Sequence, residues 1–374
     1  KVESFMNLKK SITWAVTGLF VFASALSAEE IKGDKTAGKT NARMLAKSGM
    51  DNGPSSTFFN INSWKIQMEH QGFFQWNGTS HGSAGNYPKG MGSVIFAEGI
   101  LWGVKASDKY GVDATTGEIL TDGSGTGLPR VRVNGSMYNT GLKAGKVLRD
   151  ANGRIKSTGY SENYRDQQIW RVRKDWNTGD LTVDASILRD ISVSDVTEAM
   201  IEADKAQYEH DWKNWPTDEG APFHDADGDG VYTPGTWSAE NNAWVGDIPG
   251  IPGSDQTVWT VANDLPDEYA EGGVVSVSEG GWGSPPVGFE MQLTLWGYDF
   301  PFSNPISSMM FKRARMIYVG LPGGPADAKL DTVYFTQWSD PDLGTYTDDY
   351  VGCDTTLSLG YVYNGNTFDD QFLS

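Results

Sequence analysis

The residues with the clearest chemical potential lie in one short run, Asp225–Gly235, which reads Asp-Ala-Asp-Gly-Asp-Gly-Val-Tyr-Thr-Pro-Gly. Its three aspartates alternate with other residues, so a tight loop can turn their carboxylates onto one hard cation. Gly230 allows a sharp turn, and the Val231 carbonyl stands where a main-chain ligand is expected. Without a cation the carboxylates would repel one another. The pattern predicts a structural calcium site with ligands from Asp225, Asp227, Asp229 and Val231.

The calcium-loop pattern holds over its first seven positions and then fails, because Thr236 stands at the twelfth position in place of a bidentate glutamate. A closing carboxylate must therefore come from another part of the chain. The sequence leaves four candidates open: Glu240, Asp247, Asp218 and Glu219. The alternative interpretation of the run is a solvated Asp/Gly turn that binds no metal.

A second acidic cluster lies near the C-terminal end of the sequence. Asp340 and Asp342 alternate across a proline turn, and Asp348, Asp349 and Asp354 follow closely. These side chains predict a second site of oxygen ligands, with Asp340 and Asp342 as its first members. An acidic hairpin loop in which aspartates cap turns explains the same residues equally well.

Sequence motifs of catalysis are largely missing. There is no Gly-x-Ser-x-Gly nucleophile turn, no His-Glu-x-x-His zinc motif and no phosphate-binding loop. The four histidines, His70, His81, His210 and His224, have no partner at ligand spacing. Carboxylate pairs for glycoside hydrolysis leave no signature in sequence. Enzymatic activity therefore stays open, and a non-enzymatic role is favoured.

Tryptophans in loops and at strand ends support a second functional hypothesis. Core packing is favoured for Trp259 and Trp296, whereas Trp237, Trp244 and Trp282 are candidates for exposed rings that stack on sugars. The alternative to a structural role is therefore an extracellular carbohydrate-binding or glycan-processing protein, with glycans or cell-surface components as partners.

Charge and the first residues of the sequence indicate a location outside the cell. The net charge of -18 excludes a nucleic-acid partner, whose phosphates require a basic face. Met6–Lys10 is a short basic start, Ile12–Leu26 is an apolar run of signal-peptide length, and cleavage is expected near Ser27 or Ala28. The run is short for a membrane-spanning helix. We expect a mature chain without a transmembrane span, secreted or at the outer cell surface.

Hydrophobic periodicity predicts a mainly β fold with a minor helical part, in an antiparallel β-sandwich-like architecture. Four runs of the second half read as strands: Val287–Leu295, Phe311–Val319, Val333–Trp338 and Leu357–Tyr363. Asn134-Gly135 predicts a tight hairpin turn. One long helix, capped by Ser194, is expected before the calcium-type loop.

The predicted organisation has four parts. Residues 1–28 comprise upstream residues and the signal peptide, and residues 29–56 a flexible lead-in. Residues 57–215 form a β-rich domain that ends in a helix, and residues 216–374 a β-sandwich-like domain with acidic loops. Because Cys353 is the only cysteine, no intramolecular disulfide is expected, and a metal would help to hold the loops.

Several short motifs follow one another in an order that suggests a family. They include Tyr87–Gly90, Gly99–Gly103, Arg171–Trp176, Trp215-Pro216, Gly220–Phe223, Pro249–Thr257 and Gln337–Gly344, with the aspartate loop among them. Together they resemble the N-terminal regions of large uncharacterised surface proteins exported by the bacterial type IX secretion system. The resemblance implies a structural or adhesive role at the cell surface. Such proteins typically carry a C-terminal sorting domain, which is not visible after Leu357–Tyr363. Either the reading frame is truncated or the tether is absent.

Overall fold

The computed structural model describes residues 55–72, 74, 84–106, 131–136, 142–149, 155–158, 168–265, 286–321 and 328–366. The predicted signal peptide, His81 and Trp282 lie outside these residues. The described part of the chain is mainly β, with antiparallel strand pairs and a minor helical part, as the periodicity predicts.

Two α-helices and twenty β-strands make up the described elements. The helices are α1 (Thr182–Arg189) and α2 (Glu198–Lys213). The strands are β1 (Ser56–Phe59), β2 (Lys65–Glu69), β3 (Gly85–Asn86), β4 (Ser93–Ile95), β5 (Ala97–Ala106), β6 (Val131–Gly135), β7 (Lys143–Ala144), β8 (Val147–Arg149), β9 (Ile155–Thr158), β10 (Trp170–Arg173), β11 (Phe223–His224), β12 (Thr236–Ser238), β13 (Ala243–Val245), β14 (Ile248–Pro249), β15 (Gln256–Asn263), β16 (Phe289–Gly297), β17 (Phe311–Tyr318), β18 (Leu330–Asp340), β19 (Asp349–Asp354) and β20 (Leu359–Asn364). Neither described helix is long and apolar enough to cross a membrane.

The central sheet has the order β10-β15-β16-β17, and β7 pairs with one end of β15. β15 is buried along its whole length, and β16 is buried at every position except Trp296. Alternation would leave the polar side chains of β16 in solvent, but Gln292 donates to the Glu219 carbonyl at 2.8 Å and Glu290 accepts from the Val147 N–H at 2.9 Å. Hydrogen bonds therefore satisfy the polar face of a strand covered on both sides.

A second sheet, β18-β5-β6, packs on one face of the central sheet in a sandwich-like arrangement. The Trp102 ring of β5 meets the Phe289 ring of β16 edge-on, with centroids 5.7 Å apart, and Phe335 of β18 lies 5.6 Å from Phe289. The small sheet β1-β2-β3-β4 adds Phe59, Ile66 and Met68 to the same core. The largest core thus lies between sheets.

The opposite face of the central sheet carries a second, aromatic core. Trp170 of β10 and Trp259 of β15 pack with Trp212 and Trp215, which lie at the end of α2 and just after it. Trp170 and Trp215 meet edge-on at 6.5 Å. The helix therefore covers the central sheet and brings its C-terminal end to the chain that follows, which contains Asp225–Gly235.

Two details differ from the sequence predictions. α2 begins at Glu198, and Thr197 caps it by accepting from the Met200 N–H at 3.4 Å, so Ser194 is not the cap. Asn134 and Gly135 end β6 and form no hairpin turn, because they pair with Trp102 and Leu101 of β5. A side chain at Gly135 would collide with the Ile100 carbonyl of that strand. The glycine there permits close strand approach instead.

Strands that follow one another in the second half of the chain do not all pair with one another. β16 pairs with β17 as the spacing suggests, but β18 pairs with β5 from the first half of the chain. β20 pairs with β19, which lies within the predicted acidic loop. Sequence spacing cannot identify such partners, because the pairing is set by long-range packing.

Candidate metal centre

The loop Asp225–Gly235 is held at both ends by strand pairing. It follows β11, whose His224 pairs with Ile248 of β14, and it precedes β12, which forms a hairpin with β13. Pro234 forms an isolated parallel bridge with Asp247. The two ends of the loop are therefore tied to the same returning segment of chain.

The three aspartates of the loop form one cluster. Ligand oxygens of Asp225, Asp227 and Asp229 all lie within 4.8 Å of one another. Among the residues that the structure describes, this is the one group of three or more such side chains with this proximity. Oxygen donors at this spacing can bind a metal ion, and carboxylates suit hard cations.

Backbone N–H groups of the loop point at the same carboxylates. Asp225 accepts from the N–H groups of Gly228 and Gly230 at 2.7 and 2.8 Å, one on each oxygen. Asp227 accepts from the Asp229 N–H at 3.2 Å, and Asp229 accepts from the Val231 N–H at 2.7 Å. The hydrogen bond from Gly230, above all, lowers the pKa of Asp225. These N–H groups therefore favour the ionised form of Asp225, and the backbone orients all three carboxylates.

Glycine serves the loop through backbone conformation. Gly228 and Gly230 both have φ of 78°, in the left-handed region that side chains disfavour. A Cβ atom at either position would meet nothing within 4 Å. Glycine is therefore favoured at these two positions by the positive φ and not by crowding around the backbone.

Asp247, which follows the loop in the chain, holds both ends of the loop by hydrogen bonds. Its side chain is buried, at 3% exposure, and its two oxygens accept from the N–H groups of Ala226 and Thr233 at 2.9 and 2.7 Å. Of the four candidates for a closing carboxylate, Asp247 is therefore the one with hydrogen bonds to both ends of the loop. Glu240 is exposed in the turn between β12 and β13, and Asp218 and Glu219 lie in a 3-10 helix before β11.

The end of α2 anchors the loop through two reciprocal hydrogen bonds. The Tyr232 hydroxyl donates to the Trp212 carbonyl at 2.5 Å, and the Trp212 indole N–H donates to the Gly235 carbonyl at 3.1 Å. Burial, together with the charge of Asp247, raises the pKa of Tyr232. A neutral phenol donor therefore links the loop to the helix, a contact with no signature in the sequence.

Val231 and the second acidic cluster are the remaining residues that the sequence predicts as metal ligands. Val231 directly follows the cluster, with an exposed side chain. Asp340 ends β18, Asp342 follows it, and Asp349 accepts from the Leu343 N–H at 2.8 Å. Burial, and then the charges of Asp340 and Asp349, raise the pKa of Asp342 to about 6. Ligation by Val231, Asp340 and Asp342 stays a prediction.

The tryptophans proposed as sugar platforms lie next to the aromatic core. Trp244 packs on Trp212 with ring centroids 4.0 Å apart and donates its indole N–H to the Lys174 carbonyl at 2.7 Å. Trp237 meets Trp244 edge-on at 5.5 Å. Both are half-buried. These contacts explain both tryptophans as packing residues, and the hydrogen bond of Trp244 links its hairpin to the chain after β10.

A buried polar network, invisible to motif analysis, lies beside the central sheet. Asp184 of α1 forms ion pairs with Arg171 and Arg173 of β10 and accepts from Asn60 at 2.7 Å and from the Tyr208 hydroxyl at 2.8 Å. Burial alone would raise the pKa of Asp184, but the two arginines lower it to about 2. This network ties α1, α2, β10 and the end of β1 together.

Comparison with protein families, with curated proteins and with solved structures finds no match to this chain. The similarity to surface proteins of the type IX secretion system accordingly stays a prediction. The functional argument depends on the loop geometry and on the sequence features that accompany it.

Proposed function

We propose that this chain is a secreted or cell-surface β-rich protein with a structural or adhesive role, stabilised by calcium bound in the loop Asp225–Gly235. The observation that carries the proposal is the cluster of three carboxylates with ligand oxygens within 4.8 Å. The loop hydrogen bonds support it, because they hold these oxygens in place before any ion arrives. Calcium is favoured over magnesium, because Ca²⁺ accepts more oxygen ligands in less regular geometry, whereas Mg²⁺ requires a near-ideal octahedron and keeps several waters.

A structural role suits the position of the loop. The loop is tied to the end of α2 by Trp212 and Tyr232 and to the returning chain by Asp247. An ion that orders the loop would therefore also stabilise the position of Trp212 in the aromatic core. The predicted signal peptide and the resemblance to exported surface proteins support a location outside the cell, where calcium is abundant enough for weak sites.

Thermal unfolding with calcium, with magnesium and with chelator tests the calcium site. Extracellular calcium modules bind with dissociation constants of about 10⁻⁴–10⁻³ M. At a hundredfold excess of calcium over that constant, linkage stabilises the fold by about 2.7 kcal/mol. The melting temperature should rise with calcium, rise less with magnesium and fall back with chelator.

Paired variants make this test specific to the loop. Asp227→Ala should abolish the calcium-dependent shift, and Asp227 has the longest of the loop hydrogen bonds, so its loss perturbs the metal-free loop least. Asp195→Ala removes an exposed carboxylate elsewhere and should retain the full shift. A melting temperature that calcium leaves unchanged in the parent protein would refute the calcium proposal.

Secretion is tested separately by mass spectrometry of the protein released by its native host. A mature N-terminus near Ser27 or Ala28 is the expected result. Retention of Met6–Leu26 in the mature protein would contradict the proposed location outside the cell.

The alternative, a carbohydrate-binding or glycan-processing role, stays a prediction. Trp237 and Trp244 give it little support, since both rings pack against other tryptophans.

A further inference from the structure

The strands β19 and β20 form a hairpin that lies apart from the three hydrophobic cores of the described residues. Within the described part of the chain these strands form a sheet of two, with apolar side chains exposed on both faces. A hairpin of this kind has little stability of its own in water. Apolar side chains exposed together on such an element indicate a binding surface.

One face of the hairpin carries three neighbouring tyrosines, which form one stacked and one tilted pair of rings. The register places Tyr350 opposite Tyr363 and Gly352 opposite Tyr361, which puts all four residues on one face. The ring centroids of Tyr350 and Tyr363 are 5.8 Å apart with planes at 24°, and those of Tyr361 and Tyr363 are 6.1 Å apart with planes at 34°. The three side chains are 58%, 49% and 49% exposed in chain order.

Glycines allow two of these rings to lie against the backbone. A Cβ atom at Gly352 would collide with the Tyr361 ring, and a Cβ atom at Gly365 would collide with the Tyr350 ring. Each ring thus fills the space above a glycine, while Tyr350 stays 58% exposed and Tyr361 49% exposed. Tyr350, Tyr361 and Tyr363 are called the tyrosine platform below.

The platform lies in a stretch with negative charges only. Between residues 330 and 374 the sequence contains no lysine, arginine or histidine. Asp354 shares the platform face at the turn end of the hairpin, and Asp348 lies at the other end, where it accepts from the Asn366 N–H at 3.1 Å. The described acidic residues of this stretch are Asp331, Asp340, Asp342, Asp348, Asp349 and Asp354.

Charge and ring geometry together define the ligand chemistry. The open face of a tyrosine ring attracts cations, and the flanking carboxylates reinforce that attraction. Polyanions are repelled by the same charges. Alternate residues of an extended peptide lie about 6.6 Å apart on one face, close to the platform's centroid spacings of 5.8 and 6.1 Å.

We propose that the tyrosine platform binds a basic polypeptide segment in extended conformation. Lysine or arginine side chains at every second position of the segment lie over the open faces of Tyr350, Tyr361 and Tyr363. Asp348 and Asp354 pair with further basic groups at the two ends.

Two synthetic peptides of equal composition test this proposal. In Lys-Thr-Lys-Thr-Lys-Thr-Lys the ammonium groups share one face of an extended chain, whereas in Lys-Lys-Lys-Lys-Thr-Thr-Thr they alternate between faces. Titration calorimetry at fixed calcium and at two salt concentrations should show tighter binding of the first peptide. Its affinity should fall as salt rises, since exposed charges are screened.

Variants of the platform separate ring contacts from net charge. Tyr350→Leu, Tyr361→Leu and Tyr363→Leu should each weaken binding by about two- to fivefold, because leucine retains bulk but lacks a π face. Tyr361→Phe keeps the ring and should bind like the parent. Tyr334→Leu changes a tyrosine that is 74% exposed on β18, outside the hairpin, and should also bind like the parent.

Four results would overturn the proposal. They are failure of both peptides to bind, equal binding of the two peptides with no effect of the leucine variants, self-association that the leucine variants abolish, and binding of neutral oligosaccharides in place of peptide. The second would indicate net charge alone, the third a second copy of the chain on the platform. Circular dichroism of each variant confirms that the fold is retained, and Tyr361→Phe provides a ring-preserving comparison if a leucine variant unfolds.

Discussion

At the scale of single residues, Asp184 is a buried carboxylate that contacts several charged and polar side chains at once. Its carboxylate contacts Arg171, Arg173, Asn60 and Tyr208, and it is 2% exposed. A buried ion pair adds little over an apolar replacement of the same shape, but loss of one partner leaves the other charge buried and uncompensated. Asp184 therefore has a larger effect on stability than a surface carboxylate.

We predict that Asp184→Asn lowers the free energy of unfolding by about 3–5 kcal/mol at neutral pH. The amide keeps the shape of the side chain but removes the charge that balances Arg171 and Arg173. Denaturant titration measures the change. Glu209→Gln is the matched control, since it breaks an exposed pair with Lys213 and should cost less than about 1 kcal/mol.

The pH dependence of the same variant gives an independent check. The pKa of Asp184 is lowered from 3.8 to about 2, so its contribution to stability is complete above pH 4 and is lost as the pH falls toward 2. The difference between the parent and Asp184→Asn should therefore shrink over that interval. A difference that stays constant between pH 4 and pH 2 would contradict the buried ion-pair interpretation.

At the scale of elements, the loop Asp225–Gly235 and the end of α2 behave as one unit. The Tyr232 hydroxyl and the Trp212 indole exchange hydrogen bonds with backbone carbonyls across the junction. The carbonyls in the last turn of a helix have no partner within the helix. Tyr232 therefore supplies a donor that the helix end needs, while it positions the loop.

We predict that Tyr232→Phe lowers stability by about 0.5–1.5 kcal/mol, because the Trp212 carbonyl loses its donor in a partly buried position. If calcium binds the loop, hydrogen exchange in the last turn of α2 should slow on calcium addition, and less so in the variant. Tyr346→Phe changes an exposed tyrosine and should affect neither quantity. Parent-like stability of Tyr232→Phe would show that the hydroxyl contributes nothing to the junction.

Local patterns predict the elements better than their partners. The alternation around Phe289 identifies β16, and the periodicity around Met200 identifies α2. Both patterns depend only on residues that are close in sequence. Pairing of β18 with β5 joins residues more than 200 positions apart, and nothing local encodes it. The burial of Gln292 likewise depends on Glu219, which belongs to another segment.

The same distinction applies to the candidate site. Asp225, Asp227 and Asp229 are recognisable because their spacing alone brings the carboxylates together. Asp247 was one of four open candidates, since only folding of the β12–β13 hairpin returns it to the loop. The tyrosine platform could not be predicted either, because it depends on the register that sets Gly352 against Tyr361.

At the scale of the whole molecule, strands from both halves of the chain share the same sheets. β10 pairs with β15, and β5 pairs with β18, so two of the sheets contain strands from either side of residue 215. The main core likewise combines Trp102 and Phe59 with Met291 and Leu293. The boundary predicted between residues 215 and 216 thus separates strands that are hydrogen-bonded neighbours.

We predict that residues 55–215 and 216–374 do not fold when produced separately. The first fragment keeps β6 beside β5 but lacks β18, the other partner of β5, and β15, the partner of β10. Their loss opens two strand edges and exposes Trp102 and Trp170. Neither fragment should show a cooperative denaturant transition, whereas a mixture of the two should regain part of the near-ultraviolet circular dichroism of the full chain. A cooperative transition of either fragment alone would contradict this prediction, because it would show that the fragment folds as an independent domain. The edges that the cut opens on β5 and β10 are the ones that β18 and β15 pair with, so the two fragments carry complementary strands and can recover structure on mixing.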